Sequence, residues 1–412
     1  MTEMDDGAQA RPYSRRTFLG QVGAVGAAGV LGPLFGAAAS GASTWKGVGP
    51  TLLGQAKRTS PVKQIIVLCQ ENHSFDNYFG SYSKLPAGFG IPAGWQNSGI
   101  KPWHFTNTSG NGANPNHDWT STHTAYAGGK MTGFVSNGNG KSAMGYYNAT
   151  QIPYYWSLLP KFTICAEYFC GSLTETYPNR MVLYAGTSGG YTDNSGPING
   201  SMKWPNITTL LQQAGITYAN YNFHCPSDYS ILSMWSNNYR QSKMNQSASQ
   251  FMAACKAGTL PQVSFMTDSP PYDEHPVVNV QTGEKLIESV IKAVQASPQW
   301  DSTVILFTYD EGGGFFDHRP PTELDAFGSG IRVPMLVISP LAKVGYVDTT
   351  YSDHASVLKF IEHVFGLPTL ASINHHFDKS TPNIGQGGGK PFPPRDGNPG
   401  ISDLTQCFNV TV

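Results

Sequence analysis

Two apolar rhythms alternate along the chain from residue 63 onward. Short runs, KQIIVLC (63–69), ITYANYN (216–222), QVSFMT (262–267), STVILFTY (302–309) and PMLVIS (334–339), several of them nearly continuous in apolar residues, predict strands. Near-continuous runs of this kind suit strands covered on both faces, as in a parallel sheet. Between them stand segments with helical spacing. PNITTLLQQAG (205–215) opens on proline and closes on glycine, while TGEKLIESVIKAVQAS (282–297) and SDHASVLKFIEHVFG (352–366) repeat apolar residues every three or four positions. Ser352 or Asp353 is the expected cap of the last. A further helix is expected from Pro178 to a stop at Gly186. Strand–helix alternation predicts an α/β protein, a three-layer sandwich with a mostly parallel central sheet. In such sheets, sites gather at the carboxyl ends of strands.

Two stretches carry neither rhythm. Residues 81–160, rich in Gly, Asn, Ser, Tyr and Trp, are too long for an idle loop and are expected to form a loop-rich cap over the site. Residues 377–400 read as irregular surface chain. The organisation expected is therefore an address at 1–42, a catalytic domain at 60–376 with the cap inserted, and an irregular tail at 377–412. In the address, Arg15 and Arg16 precede Phe18-Leu19 and a Gly/Ala-rich stretch that ends in small residues near Ala39 to Ala42. That is the pattern of a twin-arginine signal peptide. The stretch is long enough for a membrane anchor, but its glycines suit a lipid-facing helix less well than Leu or Ile. The expected partner is the twin-arginine export machinery. The mature chain would start near residue 40, have no stable membrane span, and work in the periplasm, at the cell wall or as a secreted protein.

Composition narrows the classes further. In 412 residues the formal net charge is −1 and only 13% are charged, while Gly (46) and Pro (29) are plentiful. Nothing here suggests nucleic-acid binding or attachment to an anionic membrane surface. Six cysteines (Cys69, Cys165, Cys170, Cys225, Cys255, Cys407) permit disulfides without fixing their pairing. Cys69, inside an apolar run, reads as packing. No CxxC or HExxH is present, so a thiolate zinc site or a paired-histidine site is unsupported.

Candidate chemistry sits where the strands end. KQIIVLC runs into Glu71 and Asn72, and STVILFTY runs into Asp310, Glu311 and three glycines. Two acidic ends at equivalent places in one sheet can converge, and oxygen donors of this kind suit a hard divalent cation. Each pair alone would also fit a capped loop. In GSLTETYPNRM (171–181), Thr174 and Thr176 fall at a helix start, where free amides favour an anion. Arg180 has the fork that grips a phosphate. Histidines 117, 123, 224, 275 and 318 stand near these segments, and a phosphoryl centre needs charge neutralisation and a proton donor.

Six segments in order, ENHSFDNYFG, HDW…H…GGKMTGF, TETYPNR, DEHP, YDEGGGFFDH and SDHASVLKFIE, resemble the phosphoesterase family of bacterial phospholipases C and acid phosphatases. The resemblance covers roughly residues 60–366 and implies an alkaline-phosphatase-like core. It further implies one divalent ion (Ca²⁺, Mg²⁺, Mn²⁺ or Zn²⁺) held by Glu71, Asn72, Asp310 and Glu311, with the oxygen of a nucleophilic Thr176 as a further ligand. His117 and His275 match histidines that contact the phosphoryl group; Arg180, His224 and His318 are assigned to phosphate or substrate. Threonine at 176 is the residue type of the phospholipase branch, whereas the acid phosphatases carry serine. The third position of ENHSF is arginine in many relatives. The long C-terminal region of the large haemolytic phospholipases has no counterpart here, so membrane engagement is left open.

The expected activity is cleavage of a phosphodiester, phospholipase C-type, through a phosphothreonine; the alternative is a phosphomonoesterase on the same fold. TYPNR also fits the sulfatase outline C/S-x-P-x-R, but threonine cannot be oxidised to formylglycine. A non-catalytic protein that holds a sugar or lipid head group on its aromatic cap would leave the two acidic strand ends unexplained.

Overall fold

The computed structural model describes residues 60–136, 138–195, 202, 204–224, 230–235, 244–325, 327–373 and 393–412. All of them belong to one compact unit, Gly47–Val412. The twin-arginine segment and Cys225 lie outside the described residues.

Eight strands form the central sheet: β1 (Gln64–Gln70), β2 (Thr163–Cys165), β3 (Tyr218–Asn222), β4 (Asn245–Ser247), β5 (Val263–Thr267), β6 (Thr303–Tyr309), β7 (Met335–Ile338) and β8 (Val347–Asp348). Their order is β8-β2-β7-β6-β1-β5-β3-β4. Only the two pairings of β7, with β6 and β2, are antiparallel. The apolar runs explain the centre: every residue of β1, β5 and β6 is buried, so both faces of the sheet are covered. β1 pairs with β6 from Gln64↔Thr303 to Gln70↔Tyr309, and on its other side with β5. Three strands thus end on the same edge, which carries residues 71–72, 268–275 and 310–314 together.

The main helices are α1 (Trp119–Tyr126), α2 (Pro153–Leu158), α3 (Thr176–Ala185), α4 (Ile207–Gln213), α5 (Ala248–Ala257), α6 (Val280–Gln295) and α7 (His354–Phe365). They fall into two sets: α3 packs on α4 and α7, while α6 packs on α2 and α5. Two helix sets and a mostly parallel sheet whose central strands are buried throughout fit the α/β class expected. α7 starts where its sequence says it should: Asp353 accepts from Ala355 N (2.8 Å), its own N–H donates to Ser356 Oγ (3.1 Å), and Gly366 closes the helix. The start of α3 is corrected by two residues, from Pro178 to Thr176. Proline is tolerated inside the first turn because the amide it lacks has no intrahelical partner there.

The tail is a second correction. Residues 377–392 of the stretch expected as surface chain lie outside the described residues, and within 393–400 Arg395 and Asp396 are buried; Leu404 and Cys407, further on, are buried too. Arg395 donates to both carboxylate oxygens of Asp325 and to the carbonyls of Gly171 and Gly328.

The cap stretch 81–160 is bonded to the core at many points. Tyr147 N donates to Asn77 O (2.7 Å), Asn77 Nδ2 to Gly145 O (2.8 Å) and Phe316 N to Ala143 O (2.9 Å). Beneath it sits Arg332, wholly buried over the Phe75 ring. Its guanidinium donates to Asp76 (2.8 Å), Asp317 (3.1 Å), Phe89 O (3.0 Å) and Ala166 O (2.9 Å).

Candidate active site

The strand ends interlock. Asn72 adopts a left-handed backbone (φ 70°), which turns the chain sharply as β1 finishes. Its N–H donates to Asp310 Oδ1 (3.3 Å), and that oxygen also accepts from Glu311 N (2.8 Å). Gly313 crosses directly over Asn72: a Cβ there would lie 2.1 Å from the Asn72 carbonyl oxygen. The middle glycine of the three is therefore required by close approach as well as by its own positive φ. Gly313 N in turn donates to Glu311 Oε2 (2.8 Å).

Arg180, on α3, enters from the helical layer. Its Nε donates to Asp310 Oδ2 (3.0 Å), and Nη2 reaches Glu71 Oε1 (3.5 Å) and the Cys69 carbonyl (3.3 Å). Expected as a free phosphate fork, it is engaged with two of the acids instead. Glu71, Asp310 and Glu311 thus gather at one guanidinium. Burial lifts the Asp310 carboxyl to about 6 against the pull of Arg180, and burial followed by repulsion from Asp310 lifts Glu311 well above the ordinary range. Two oxygens of this group, Asn72 Oδ1 and Glu311 Oε1, are buried with no hydrogen-bond partner. Orphaned hard oxygen donors within a cluster of carboxylates fit a divalent cation.

Two histidines face the same group. His117, from the cap, places Nδ1 2.8 Å from the Pro115 carbonyl, so Nδ1 carries the proton in the neutral ring. Nε2 then accepts from Asn72 Nδ2 (3.3 Å), which turns the carboxamide so that Oδ1 is left free. Burial depresses the His117 pKa, and Glu311 Oε1 lies 3.7 Å from Nε2. His275 stands edge-on to His117 with ring centroids 5.7 Å apart; its Nδ1 contacts the Pro276 carbonyl, leaving Nε2 available. Thr176 is the first residue of α3, largely buried, one helical turn before Arg180. That spacing puts the hydroxyl on the face that meets the acids.

Of the remaining expected histidines, one lies against the 268–275 loop and the other in a separate cluster. His224 stacks on Tyr272 (3.9 Å) with its side chain exposed. His318 binds Asp76 (2.6 Å) and the Gly88 carbonyl (3.2 Å), within the Arg332 cluster under the cap. Among the described residues, two groups of three His, Cys, Asp or Glu bring ligand atoms within 4.8 Å of one another, and both are elsewhere: Asp76–Asp317–His318 and Cys165–Asp348–Cys407. The first already holds a cation, the Arg332 guanidinium. A cavity of about 570 Å³ in the cap, bordered by Tyr82, Trp95, Lys101 and Tyr146, includes none of the site residues.

Several supporting residues escaped the sequence reading. His354 Nε2 donates to the Asp310 carbonyl (2.7 Å), and Nδ1 accepts from Tyr168 OH (3.0 Å); burial pushes its pKa down to about 4. Glu274, next to His275, is fully buried and accepts from Tyr78 (2.7 Å), Tyr309 (2.7 Å), Tyr155 and Gln70 (3.2 Å). His73, without a role from sequence, bridges Asn77 Oδ1 (2.7 Å) and the Glu274 carbonyl (3.0 Å), tying the Asn72 turn to the His275 loop. The one signal available beforehand was adjacency, since each is a neighbour of a motif residue in ENHSF, DEHP or SDHAS.

A mostly parallel α/β sheet with an acidic, cation-ready group on its carboxyl edge, beside a hydroxyl at a helix start, defines the class of protein. The chain belongs to the Phosphoesterase family, whose model matches residues 62–368. Among similar proteins, the "Non-hemolytic phospholipase C" of Pseudomonas aeruginosa is 31% identical over 74% of this chain, which spans 54% of that protein. "Phospholipase C A" of Mycobacterium tuberculosis is 30% identical over 86% of this chain and 81% of its own length. The chain thus spans about half the length of the Pseudomonas relative and most of the mycobacterial one. Solved structures with a related fold include a protein in the alkaline phosphatase superfamily from Vibrio parahaemolyticus (TM-score 0.41, 8% identity, 76% of this chain and 68% of that one). Another is murine ectonucleotide pyrophosphatase/phosphodiesterase 5 (TM-score 0.41, 9% identity, 75% and 96%).

Proposed function

We propose that this chain is an exported phosphoester hydrolase that cleaves a phosphodiester in the manner of a phospholipase C. The observation that carries the reading is the pair of orphaned oxygens, Asn72 Oδ1 and Glu311 Oε1, among the carboxylates gathered at Arg180 of the helix that starts with Thr176. Glu71, Asn72, Asp310 and Glu311 would hold a divalent ion, with the Thr176 oxygen as a further ligand. Such an ion supplies charge neutralisation and makes a hydroxyl easier to deprotonate.

Thr176 gives up its hydroxyl proton to solvent before the cycle; Oγ1 then attacks phosphorus in line, forming an O–P bond as the bond to the leaving alkoxide breaks. His275 Nε2, protonated, donates its proton to that alkoxide; water then attacks phosphorus, gives a proton to the now neutral ring, and the Oγ1–P bond breaks to return Oγ1 to its starting form. His117 keeps the Asn72 carboxamide in one orientation. Arg180 holds Asp310 and Glu71 apart from solvent and fixed in place, so its part is positioning. His224 and His318 are given no chemical step.

The export reading rests on Arg15, Arg16 and the Gly/Ala-rich stretch that follows them. Among the described residues no helix is long and apolar enough to cross a membrane. The names of the relatives favour a diester such as a phospholipid, and a phosphomonoesterase is the competing outcome. Purified protein is assayed on p-nitrophenylphosphorylcholine and on p-nitrophenyl phosphate, with and without chelator. Diesterase activity that chelator removes, and that Thr176→Val abolishes without loss of fold, is the expected result. Preference for the monoester would reassign the substrate, and normal turnover by Thr176→Val would remove the nucleophile.

A further inference from the structure

Cys165 ends β2, and Cys407 lies in the 3₁₀ turn Thr405–Cys407 of the C-terminal segment. They are 242 positions apart in sequence, yet their sulfurs stand 3.8 Å apart, both in fully buried residues. The approach is held from two sides. The Cys407 carbonyl accepts from Lys343 N (2.9 Å) and from Thr163 Oγ1 (3.3 Å), two residues before Cys165 on the same strand. Gln406 Nε2 donates to Asp348 Oδ2 (2.8 Å), and Asp348 on β8 is in register with Cys165. By contrast, Cys69 and Cys170 each point their sulfur at a main-chain carbonyl, of Gln70 and Ser172.

We propose that Cys165 and Cys407 are a disulfide-forming pair, a covalent staple between the sheet and the C-terminal segment. This rests on the placement of the two thiols and not on the hydrolase reading. Rotation about the Cα–Cβ bonds has to bring the sulfurs from 3.8 Å to about 2 Å. The electron acceptor is a disulfide of the thiol–disulfide exchange class, such as an oxidoreductase or oxidised glutathione. One thiolate attacks a sulfur of that disulfide and releases a thiol. The second thiolate then attacks the mixed disulfide and releases the other thiol. Two protons and two electrons leave the cysteine pair, and the oxidant's disulfide becomes two thiols.

In the docked state the Cys407 contact, burial and the nearby Asp348 carboxylate all keep the Cys165 thiol protonated. Closure therefore belongs to the moment the C-terminal segment docks, and the finished bond is shielded from reductant. A metal is the rival occupant, since Cys165, Cys407 and Asp348 present ligand atoms within 4.8 Å of one another. The carboxylate is already committed, with Oδ1 accepting from Thr350 and Oδ2 from Gln406, and three donors leave a tetrahedral site short of one.

The test refolds the mature protein in a glutathione redox buffer, quenches with an alkylating reagent and maps peptides by mass spectrometry. The expected product is one peptide pair joining Cys165 to Cys407, lighter by the two hydrogens lost, separated by reductant and absent from Cys407→Ser. The oxidised protein should melt about 5–8 °C above its reduced form, because the loop closed is long. Hydrolysis by Cys165→Ser and Cys407→Ser should match that of the wild type. Alkylation of both cysteines after oxidation, pairing of either with another cysteine, or a stoichiometric metal lost in Cys407→Ser would each overturn the proposal. The reduced wild type serves as the folded control if a serine variant misfolds.

Discussion

Replacing Glu311 by Gln distinguishes a site built for a cation from an acidic loop end. Three carboxyl groups gather at one guanidinium, and burial with repulsion from Asp310 makes Glu311 hold its proton more tightly than a free carboxyl, a proton that a bound cation would displace. An ion present at a hundred times its Kd adds about 2.7 kcal/mol to the folded state. For about 310 described residues the unfolding entropy is roughly 0.7 kcal/mol per kelvin, so the wild-type Tm should rise by about 4 °C. Glu311→Gln keeps the shape and an oxygen to accept from Gly313 N but removes one charge. Its ion-free Tm should equal or exceed that of the wild type, and its response to ion should largely vanish. Circular-dichroism melts after chelation, followed by separate additions of Ca²⁺, Mg²⁺, Mn²⁺ and Zn²⁺ at fixed ionic strength, measure both. An equal response in the variant, or none in the wild type to any of the four, would refute the charge argument.

Arg332→Leu should cost about 3–5 kcal/mol in urea unfolding, because Asp76 and Asp317 are left buried without their cation; a change below 1 kcal/mol would contradict the cluster's role. Glu274→Gln gives three tyrosine hydroxyls a single accepting oxygen in place of two, and should lower stability by about 2 kcal/mol. If Glu274 positions the His275 loop, kcat in that variant falls about tenfold with KM little changed, whereas an unchanged kcat would make the cage merely structural. Burial alone would lower the His318 pKa, but Asp76 and Asp317 outweigh it and hold it above 6.5. The folded state then binds that proton more tightly than the unfolded chain. Its contribution is complete below about pH 6.5 and lost as pH rises through the folded value. Melting curves of the wild type should show this decline across neutrality, and those of His318→Gln should lack it.

The sheet's centre was legible because it is written in long apolar runs, and the five expected strands match β1, β3, β5, β6 and β7 within two residues at either end. β2, β4 and β8 are two or three residues long, too short to carry a period of two. The site was legible in residue types at the ends of β1 and β6, since both motifs follow their strands directly. Its electrostatic partners were not. Arg180 could be read for its fork, but only the packing of α3 under the sheet edge reveals that Asp310 and Glu71 take up that fork. His318 was misread for a related reason: FFDH follows YDEGGG closely in sequence, yet the glycine-rich turn carries it away to Asp76. Glu274 takes up Tyr155, 119 positions away, and His73 reaches the Glu274 carbonyl, 201 positions away, which no local pattern records.

Arg332 settles what kind of object the cap is. One guanidinium grips Phe89 O in the cap, Ala166 O in the core and both buried aspartates, while His318 and Arg319 hold the neighbouring Gly88 carbonyl. Swinging this part of the cap aside would bare two acids and strip a cation in the same movement. The cap is then masonry and not a door.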